Sequence, residues 1–499
     1  LGRDDMLYRL HRDKHERVLP GTEKNGNPIV FRAYKLPWDQ FDFRAYPKGS
    51  WVLHMLRSRL GEDLYRKAIR LYLERHALSS VVTDDLRQAF EEVSGKPFDA
   101  FFDQWVYQGG VPKLKVRHKW LATEGLLRVS VEQDKPTEGR QLFTFSVTLR
   151  CHAGDEVVDR RVEVTEAEHE FYVPLAGKPD VVRFDPEYTL LAEVDHKQSV
   201  EMLEAQLELP DDTIGRVLAA EALGEEDSQA AITALAEALS NDAFYGVRIA
   251  ASKSLGKMSK DEALVALLTS LDQPDARVRN RVVKDVGKFY DDRAKAALLR
   301  VASNEPNPDI RASALGGLVK YFGSEIDRLL VDAVQGDSFQ NQLAISAGKV
   351  IGRRHDPALA DPLLIALRVR RNELPGRRYG EVLVSLAKAA RDAEKTTSTR
   401  EFLASRLNDP SIGVRLGAIE ALGELGDRRA TPLLEDLAKK SDKEGDAAEK
   451  ALKRLDAQRE PAAKTIKELR DQLRELREAQ DSLQKSVEAI ESKAEATEP

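Results

Sequence analysis

The sequence has 499 residues, a formal net charge of −7, 32% charged residues and 42% hydrophobic residues. This length predicts three or four domains. Because the net charge is negative, composition gives no sign of the basic surface that would bind nucleic acid or an anionic membrane. The single cysteine, Cys151, excludes an intrachain disulfide and is interpreted as an ordinary free thiol. No apolar run approaches the roughly 18 residues that a membrane span needs, so we expect a soluble protein. Its compartment stays open, because no amino-terminal signal region is present.

The first 20 residues form a pattern typical of a charged helix with few apolar positions. His11 and His15 are four residues apart, a spacing that lets two imidazoles share one helix face and one metal ion. Arg, Asp and Lys stand between them without a catalytic glutamate, so we interpret both as solvated histidines rather than metal ligands. Residues 20–45 are rich in Pro, Gly and Asn, which predicts a loop.

A tyrosine precedes the next predicted helix, which spans residues 47–60. Pro47 takes the first helical position, where its missing N–H costs nothing, and Gly61 ends the helix. The apolar positions at helical spacing are Val52, Leu53, Leu56 and Leu60. The pattern therefore predicts a buried helix with Tyr46 at its amino-terminal end, where the helix dipole is positive.

Three more helices follow in the pattern. One spans 62–76, one starts at Thr83, where Asp84 and Asp85 suit a helix amino terminus, and one spans 97–107. The last carries an aromatic stripe that we interpret as core, made of Phe98, Phe101, Phe102 and Trp105.

Four short motifs occur in this region in a fixed order. Tyr-x-Lys-Gly at 46–49 is followed by Leu-Gly-Glu-Asp at 60–63, Thr-Asp-Asp-Leu at 83–86 and Gln-Trp-Val-Tyr-Gln-Gly-Gly-Val-Pro at 104–112. In order and spacing they resemble the gluzincin zinc aminopeptidases, the aminopeptidase N family, over about residues 30–195. The resemblance implies a hydrolase, a metallopeptidase that removes amino-terminal residues from peptides by means of zinc-activated water.

The resemblance also implies a catalytic role for Tyr46. In the family, the tyrosine of this motif donates a hydrogen bond to the oxyanion that forms when zinc-bound water attacks the peptide carbonyl. A phenolic O–H aimed at developing charge suits that role. The alternative is a core tyrosine whose hydroxyl donates to a backbone carbonyl.

The zinc ligands that the family requires are missing from the sequence. His-Glu-x-x-His does not occur in the 499 residues, and neither does the family's Gly-x-Met-Glu-Asn loop. We therefore expect Zn2+ in the intact protein, with no ligands within this chain, and we expect this chain alone to be inactive. Because both motifs lie upstream of the tyrosine in the family, we expect an amino-terminally truncated protein. A natural pseudo-enzyme is the alternative.

After Pro112 the apolar period changes from helical to two. Alternating segments separated by Gly, Pro and Asp turns lie at 113–120, 127–131, 143–149, 158–164 and 170–175. About seven short strands with one apolar face predict a β-sandwich. The resemblance implies an immunoglobulin-like domain at this place, which would act as a spacer.

From about residue 196 the sequence repeats a unit made of a turn with Asn or Asp, an arginine, and a helix of small residues. The arginines, spaced by 31 or 32 residues, are Arg216, Arg248, Arg279 and Arg311. A weaker copy follows at Gln342 and a strong one at Arg415. The spacing resembles HEAT-like repeats, helical hairpins that must stack to bury their apolar faces. We interpret the arginines as bonding a neighbouring repeat's turn; an anion-binding ladder is the alternative.

An apolar seam with heptad spacing lies near the carboxy terminus, and it predicts a coiled-coil helix over residues 462–493. Its members are Ile466, Leu469, Leu473, Leu476, Leu483, Val487 and Ile490, with Gln480 as the one polar interruption. Such a helix would dimerise or lie along the solenoid as a cap.

The predicted fold is multidomain and mainly α. Residues 1–110 form the helical carboxy-terminal part of an aminopeptidase catalytic domain, 111–195 a β-sandwich, 196–458 a HEAT-like α-solenoid and 462–493 a coiled-coil helix. The predicted function is the carboxy-terminal part of a zinc metallo-aminopeptidase. Expected partners are peptide substrates, a protein on the concave face of the solenoid and a second copy through the coiled coil. We expect no nucleic acid partner and no membrane span. The alternative is a non-catalytic, peptidase-like scaffold that binds proteins through its solenoid and coiled coil.

Overall fold

The computed structural model describes residues 2–34, 36–134, 141–457, 469–482 and 484. The chain divides into two compact units, Leu1–Asp285 and Val286–Pro499. As predicted, most described residues are helical, with two small sheets in the first unit.

The amino-terminal part of the first unit consists of helices. They are α1 (Arg3–Asp13), α2 (Leu19–Lys24), α3 (Gly49–Leu60), α4 (Glu62–Arg75), α5 (Thr83–Ser94) and α6 (Asp99–Phe102). Single π-helical turns at Lys14–Val18, Arg44–Lys48 and Asp103–Tyr107 join or extend these helices. The predicted 20–45 loop contains the end of α2 and a 3₁₀ turn at Pro37–Gln40.

The predicted aromatic stripe is core, since Phe98, Phe101, Phe102 and Trp105 are all buried. The interpretation of His11 as a solvated histidine was wrong. His11 is buried, and its two ring nitrogens lie 3.0 Å from the Tyr188 hydroxyl and 3.0 Å from Glu221 Oε1. The cause is tertiary: segments more than 170 residues away in sequence cover this face of α1. The His15 side chain retains exposed surface, but burial of its imidazole lowers the pKa of this histidine to about 3, so it is only partly solvated.

Seven strands are described in the sandwich region, as the alternation predicts. They are β1 (Lys113–Leu121), β2 (Leu126–Gln133), β3 (Phe145–Ala153), β4 (Glu156–Val164), β5 (Glu168–Pro174), β6 (Val181–Phe184) and β7 (Glu193–His196). The sheet orders are β5-β2-β1-β7 and β4-β3-β6. All described pairings are antiparallel except β1 with β7. Cys151 lies buried in β3 as a free thiol, and burial raises its pKa to about 11.

Helix pairs follow the sandwich. They are α7 (Val200–Leu207), α8 (Thr213–Leu223), α9 (Gln229–Asn241), α10 (Tyr245–Leu255), α11 (Asp261–Thr269) and α12 (Ala276–Val286). The second unit continues with α13 (Asp292–Asn304), α14 (Pro308–Gly317), α15 (Ser324–Gln335), α16 (Gln342–Arg354), α17 (Ala360–Val369), α18 (Gly376–Ala390), α19 (Thr397–Ser405), α20 (Ile412–Leu425), α21 (Thr431–Ala438) and α22 (Lys443–Ala457). Within each unit, the second helices of successive pairs pack on one another, as α8 does on α10 and α18 on α20.

Three of the repeat arginines, Arg216, Arg248 and Arg415, bond the turn of a neighbouring repeat, as predicted. Arg216 Nε donates to Asp242 Oδ2 of the next turn at 2.7 Å, and Arg248 Nη1 reaches Gln273 Oε1 at 3.0 Å. In the second unit, Arg415 Nε donates to Glu444 Oε1 at 2.6 Å. The anion-ladder alternative is unsupported at these positions, because internal carboxylates and an amide already engage the guanidinium groups.

The weak repeat copy has Gln342 where the other copies have an arginine, and another arginine bonds its turn. Arg370, which follows α17, is buried and donates to the carbonyls of Val334 at 3.1 Å and Gly336 at 2.6 Å. It also donates to the side chain of Asn341 at 2.5 Å. An arginine from the following pair therefore holds this turn.

Part of the predicted coiled-coil seam lies outside the described residues, namely Ile466, Leu483, Val487 and Ile490. Residues 469–482 are helical, and their seam residues Leu469, Leu473 and Leu476 are between 51% and 69% exposed. The coiled coil itself stays a prediction.

Across the described ranges, no helix combines the length and apolarity that a membrane span needs.

A buried lysine marks the junction of helix, sandwich and repeats in the first unit. Lys14 is 5% exposed, and its Nζ lies 4.5 Å from the centre of the Tyr188 ring. Burial lowers the pKa of Lys14 to about 8, against the opposing effects of Asp185 and Glu221. Removing an ammonium from water favours its neutral form, and the aromatic face offsets only part of that cost.

This lysine predicts a rise in stability with pH. Between pH 8 and 10.5 the unfolded chain retains the Lys14 proton while the folded chain has lost it. The free energy of unfolding should therefore rise through this window, by at most about 1.4 kcal/mol per pH unit, and Lys14 should add no slope below it. Urea unfolding compared between wild type and Lys14→Met isolates the effect. Parallel pH profiles for the two proteins would contradict the assignment.

Candidate active site around Tyr46

The structure places Tyr46 inside the π-helical turn Arg44–Lys48, which runs directly into α3. Pro47 therefore lies within the turn and not at the first helical position, so that prediction was wrong. The turn contains an extra residue because the Lys48 N–H donates to the Phe43 carbonyl, five residues back, at 2.8 Å. Turns of this kind re-aim side chains relative to a regular helix.

Tyr46 is 69% exposed, which rules out the core-tyrosine alternative. Three of the other four residues of the turn, Arg44, Pro47 and Lys48, are buried. The chain is thus anchored on both sides of a phenol that faces outward. This arrangement fixes the backbone that carries the hydroxyl while leaving the hydroxyl accessible.

Arg44 holds the amino-terminal side of the turn. Its Nε donates to Asp42 Oδ2 at 2.8 Å, and its Nη2 donates to the Asp39 carbonyl at 2.9 Å. The guanidinium also stacks over the Phe31 ring at 5.2 Å. These contacts tie the turn to the segment that precedes it.

Lys48 holds the carboxy-terminal side. Its side chain is buried, and Nζ donates to the Gly110 carbonyl at 3.0 Å. Lys48 belongs to Tyr-x-Lys-Gly and Gly110 to the motif that ends in Gly-Val-Pro, so the bond joins two motifs that are 62 residues apart.

An exposed aromatic surface adjoins Tyr46. Phe41 lies 6.4 Å from Tyr46 and 5.3 Å from Trp38 between ring centres, and both are more than half exposed. Sequence reasoning placed these residues in a loop and assigned them no role.

The described part of the chain does not fit a zinc site. It contains no group of three or more His, Cys, Asp or Glu side chains arranged to hold a metal ion. His11 already contacts Tyr188 and Glu221. His54 Nε2 lies 3.0 Å from the Tyr188 carbonyl, and burial lowers the pKa of this imidazole.

Two known families match separate segments of the chain. Residues 10–105 match the Peptidase family M1 domain, and residues 232–319 and 380–453 match HEAT repeats.

Related proteins are aminopeptidases by name. Aminopeptidase M1-C of Oryza sativa subsp. japonica is 34% identical over 120 residues, which are 23% of this chain and 13% of that protein. Aminopeptidase N of Lactococcus lactis subsp. lactis is 42% identical over 68 residues, 14% of this chain and 8% of the relative. Aminopeptidase N of Haemonchus contortus is 30% identical over 193 residues, 35% of this chain and 20% of the relative. The matches therefore span a fifth or less of these relatives' lengths.

The fold is also similar to a solved structure, that of Legionella pneumophila aminopeptidase A in complex with aspartic acid. The TM-score is 0.55 at 14% identity, over 88% of this chain and 60% of that chain. Taken together, residues 10–105 are similar to the peptidase family M1 domain, and the carboxy-terminal half contains HEAT repeats.

Proposed function

We propose that this chain is the carboxy-terminal part of an aminopeptidase that removes amino-terminal residues from peptides. In this role the Tyr46 hydroxyl donates a hydrogen bond to the oxyanion of the tetrahedral intermediate. The observation that carries the proposal is an exposed phenol on a turn with buried anchors, within the region that matches peptidase family M1. The names of the related proteins support the reaction class.

The chemistry asked of Tyr46 is simple. When a nucleophile attacks a peptide carbonyl, negative charge develops on the carbonyl oxygen, and a donor already aimed at that oxygen stabilises the charge without reorganising. In this role the phenol donates a hydrogen bond and transfers no proton. For this role the backbone at Tyr46 must be fixed and its hydroxyl must be accessible. The hydrogen bonds of Arg44 and Lys48 fix the backbone. The metal that the family uses would be held by residues outside this chain.

The test is a Tyr46→Phe substitution in a longer protein in which residues 1–499 follow a His-Glu-x-x-His segment. Loss of one oxyanion donor should lower kcat by about 100- to 1,000-fold, measured on an amino-acid anilide. The matched control is Tyr172→Phe, which removes the hydroxyl of an exposed tyrosine on β5. Residues 1–499 alone should show no turnover.

Two outcomes would contradict the proposal. One is full activity in the Tyr46→Phe protein, which would remove Tyr46 from the mechanism. The other is a longer protein that cleaves no anilide at all. In that case the non-catalytic scaffold, with the HEAT repeats as its binding part, becomes the better account.

A further inference from the structure

Lys48 is one of the largest fully buried side chains in the described protein, with 1% of its surface exposed. Burying an ammonium is costly, so a lysine at such a position needs strong hydrogen-bond acceptors. Its Nζ reaches the Gly110 carbonyl at 3.0 Å. The side chain leaves the backbone two residues after Tyr46, so it anchors the same turn that carries the exposed phenol.

The acceptor is itself held in place. Gly110 has φ +90°, a conformation that favours glycine. Its neighbour Gly109 packs so closely that a Cβ there would lie 1.9 Å from the Gly26 carbonyl oxygen. Four residues earlier, the Val106 carbonyl accepts a hydrogen bond from the Val30 N–H at 3.2 Å. Lys48 therefore binds to a carbonyl whose backbone is held on its amino-terminal side by residues 26 and 30.

We propose that Lys48 is a positioning residue for Tyr46. Its charge-assisted bond to Gly110 fixes the carboxy-terminal side of the π-helical turn and thereby sets where the Tyr46 hydroxyl stands. This inference rests on the proposed oxyanion role of Tyr46. Catalysis is sensitive to such placement, because a displacement of about 1 Å can cost about 100-fold in rate.

The proposal makes Lys48 act only through Tyr46, and a double-variant cycle tests that. In the longer protein, Lys48→Met should lower kcat by about 10- to 100-fold with little change in KM. In the Tyr46→Phe background the same substitution should cause little further loss, because the hydroxyl that Lys48 positions is already gone. The matched control is Lys96→Met, at an exposed lysine, which should leave kcat unchanged. Should Lys48→Met fail to fold, Lys48→Gln, which retains a neutral donor, replaces it.

The outcomes separate this inference from the proposed function. Full activity in Tyr46→Phe overturns the proposed function and the positioning role with it. A large loss in Tyr46→Phe combined with an unchanged kcat in Lys48→Met overturns the positioning role alone. So do losses that multiply in the double variant, because a merely structural lysine would act independently of the phenol.

A measurement on residues 1–499 complements the kinetics. In a chain labelled with carbon-13 at its tyrosine rings, the Tyr46 resonance is the one lost in Tyr46→Phe. Lys48→Met should shift or broaden this resonance, and Lys96→Met should not. An unchanged Tyr46 resonance in a folded Lys48→Met chain would overturn the positioning role.

Discussion

Replacing Trp51 with alanine is expected to cost about 3–5 kcal/mol of the free energy of unfolding of the first unit. Trp51 is fully buried, and its indole Nε1 donates to the Leu10 carbonyl at 2.9 Å. Its ring lies 5.2 Å from the Tyr188 ring and 5.8 Å from the His54 ring between centres. The substitution would leave a large cavity where α1, α3 and the end of the sandwich meet, and would leave the Leu10 carbonyl without this donor.

The measurement is urea unfolding followed by tryptophan fluorescence. All four tryptophans, Trp38, Trp51, Trp105 and Trp120, lie in the first unit, so their signal reports unfolding there. The matched control is Trp38→Ala. Trp38 is 77% exposed, so its loss should change the free energy of unfolding by about 0.5 kcal/mol or less. Equal effects of the two substitutions would contradict the described packing of α3.

The second large effect concerns the repeat arginines. Arg216→Ala should cost about 3–5 kcal/mol, because it leaves the Asp242 carboxylate buried without its partner. The side chains of Arg216 and Asp242 are 7% and 8% exposed. Arg216 also donates to the carbonyls of Leu209 at 2.7 Å and Pro210 at 2.6 Å, so one side chain joins two successive turns.

An exposed ion pair in the same unit provides the control. Lys257 and Glu225 are 2.6 Å apart, but their side chains are 54% and 70% exposed. Lys257→Ala should cost less than about 1 kcal/mol, since water screens that pair. Replacing both Arg216 and Asp242 with leucine should recover much of the loss, because no unpaired charge is then buried. A loss below about 1 kcal/mol in Arg216→Ala would show that the pair does not hold the stack.

The repeats show how much of the fold can be predicted from sequence periodicity. The regular arginine spacing predicted stacked helical hairpins and internal pairing, and Arg216 and Arg415 pair in that way. Each hairpin packs its apolar face only against the hairpins next to it in sequence. The local sequence pattern is therefore sufficient to predict this packing. At Gln342 the pattern weakens, and the substitute, Arg370, comes from a later segment that no repeat spacing indicates.

The helix after Tyr46 was predicted less accurately. Its buried face comprises Trp51, Val52, Met55 and Leu56, whereas the sequence pattern favoured Val52, Leu53, Leu56 and Leu60. The π-helical turn inserts a residue at the start of the helix, and a 3.6-residue period does not predict such a turn. Trp51 is buried because distant groups surround it, the Leu10 carbonyl on one side and Tyr188 on the other.

The order of the parts is readable along the chain: a helical segment with peptidase motifs, a run of alternating strands, and repeats. Local periodicity and short motifs carry that information. The surroundings of the candidate site depend instead on long-range packing. It buried Lys48 against Gly110, left Tyr46 exposed and placed His11 between Tyr188 and Glu221. Each of these contacts joins residues at least 62 positions apart, and a pairing at that separation is set by packing and not by neighbours in the chain.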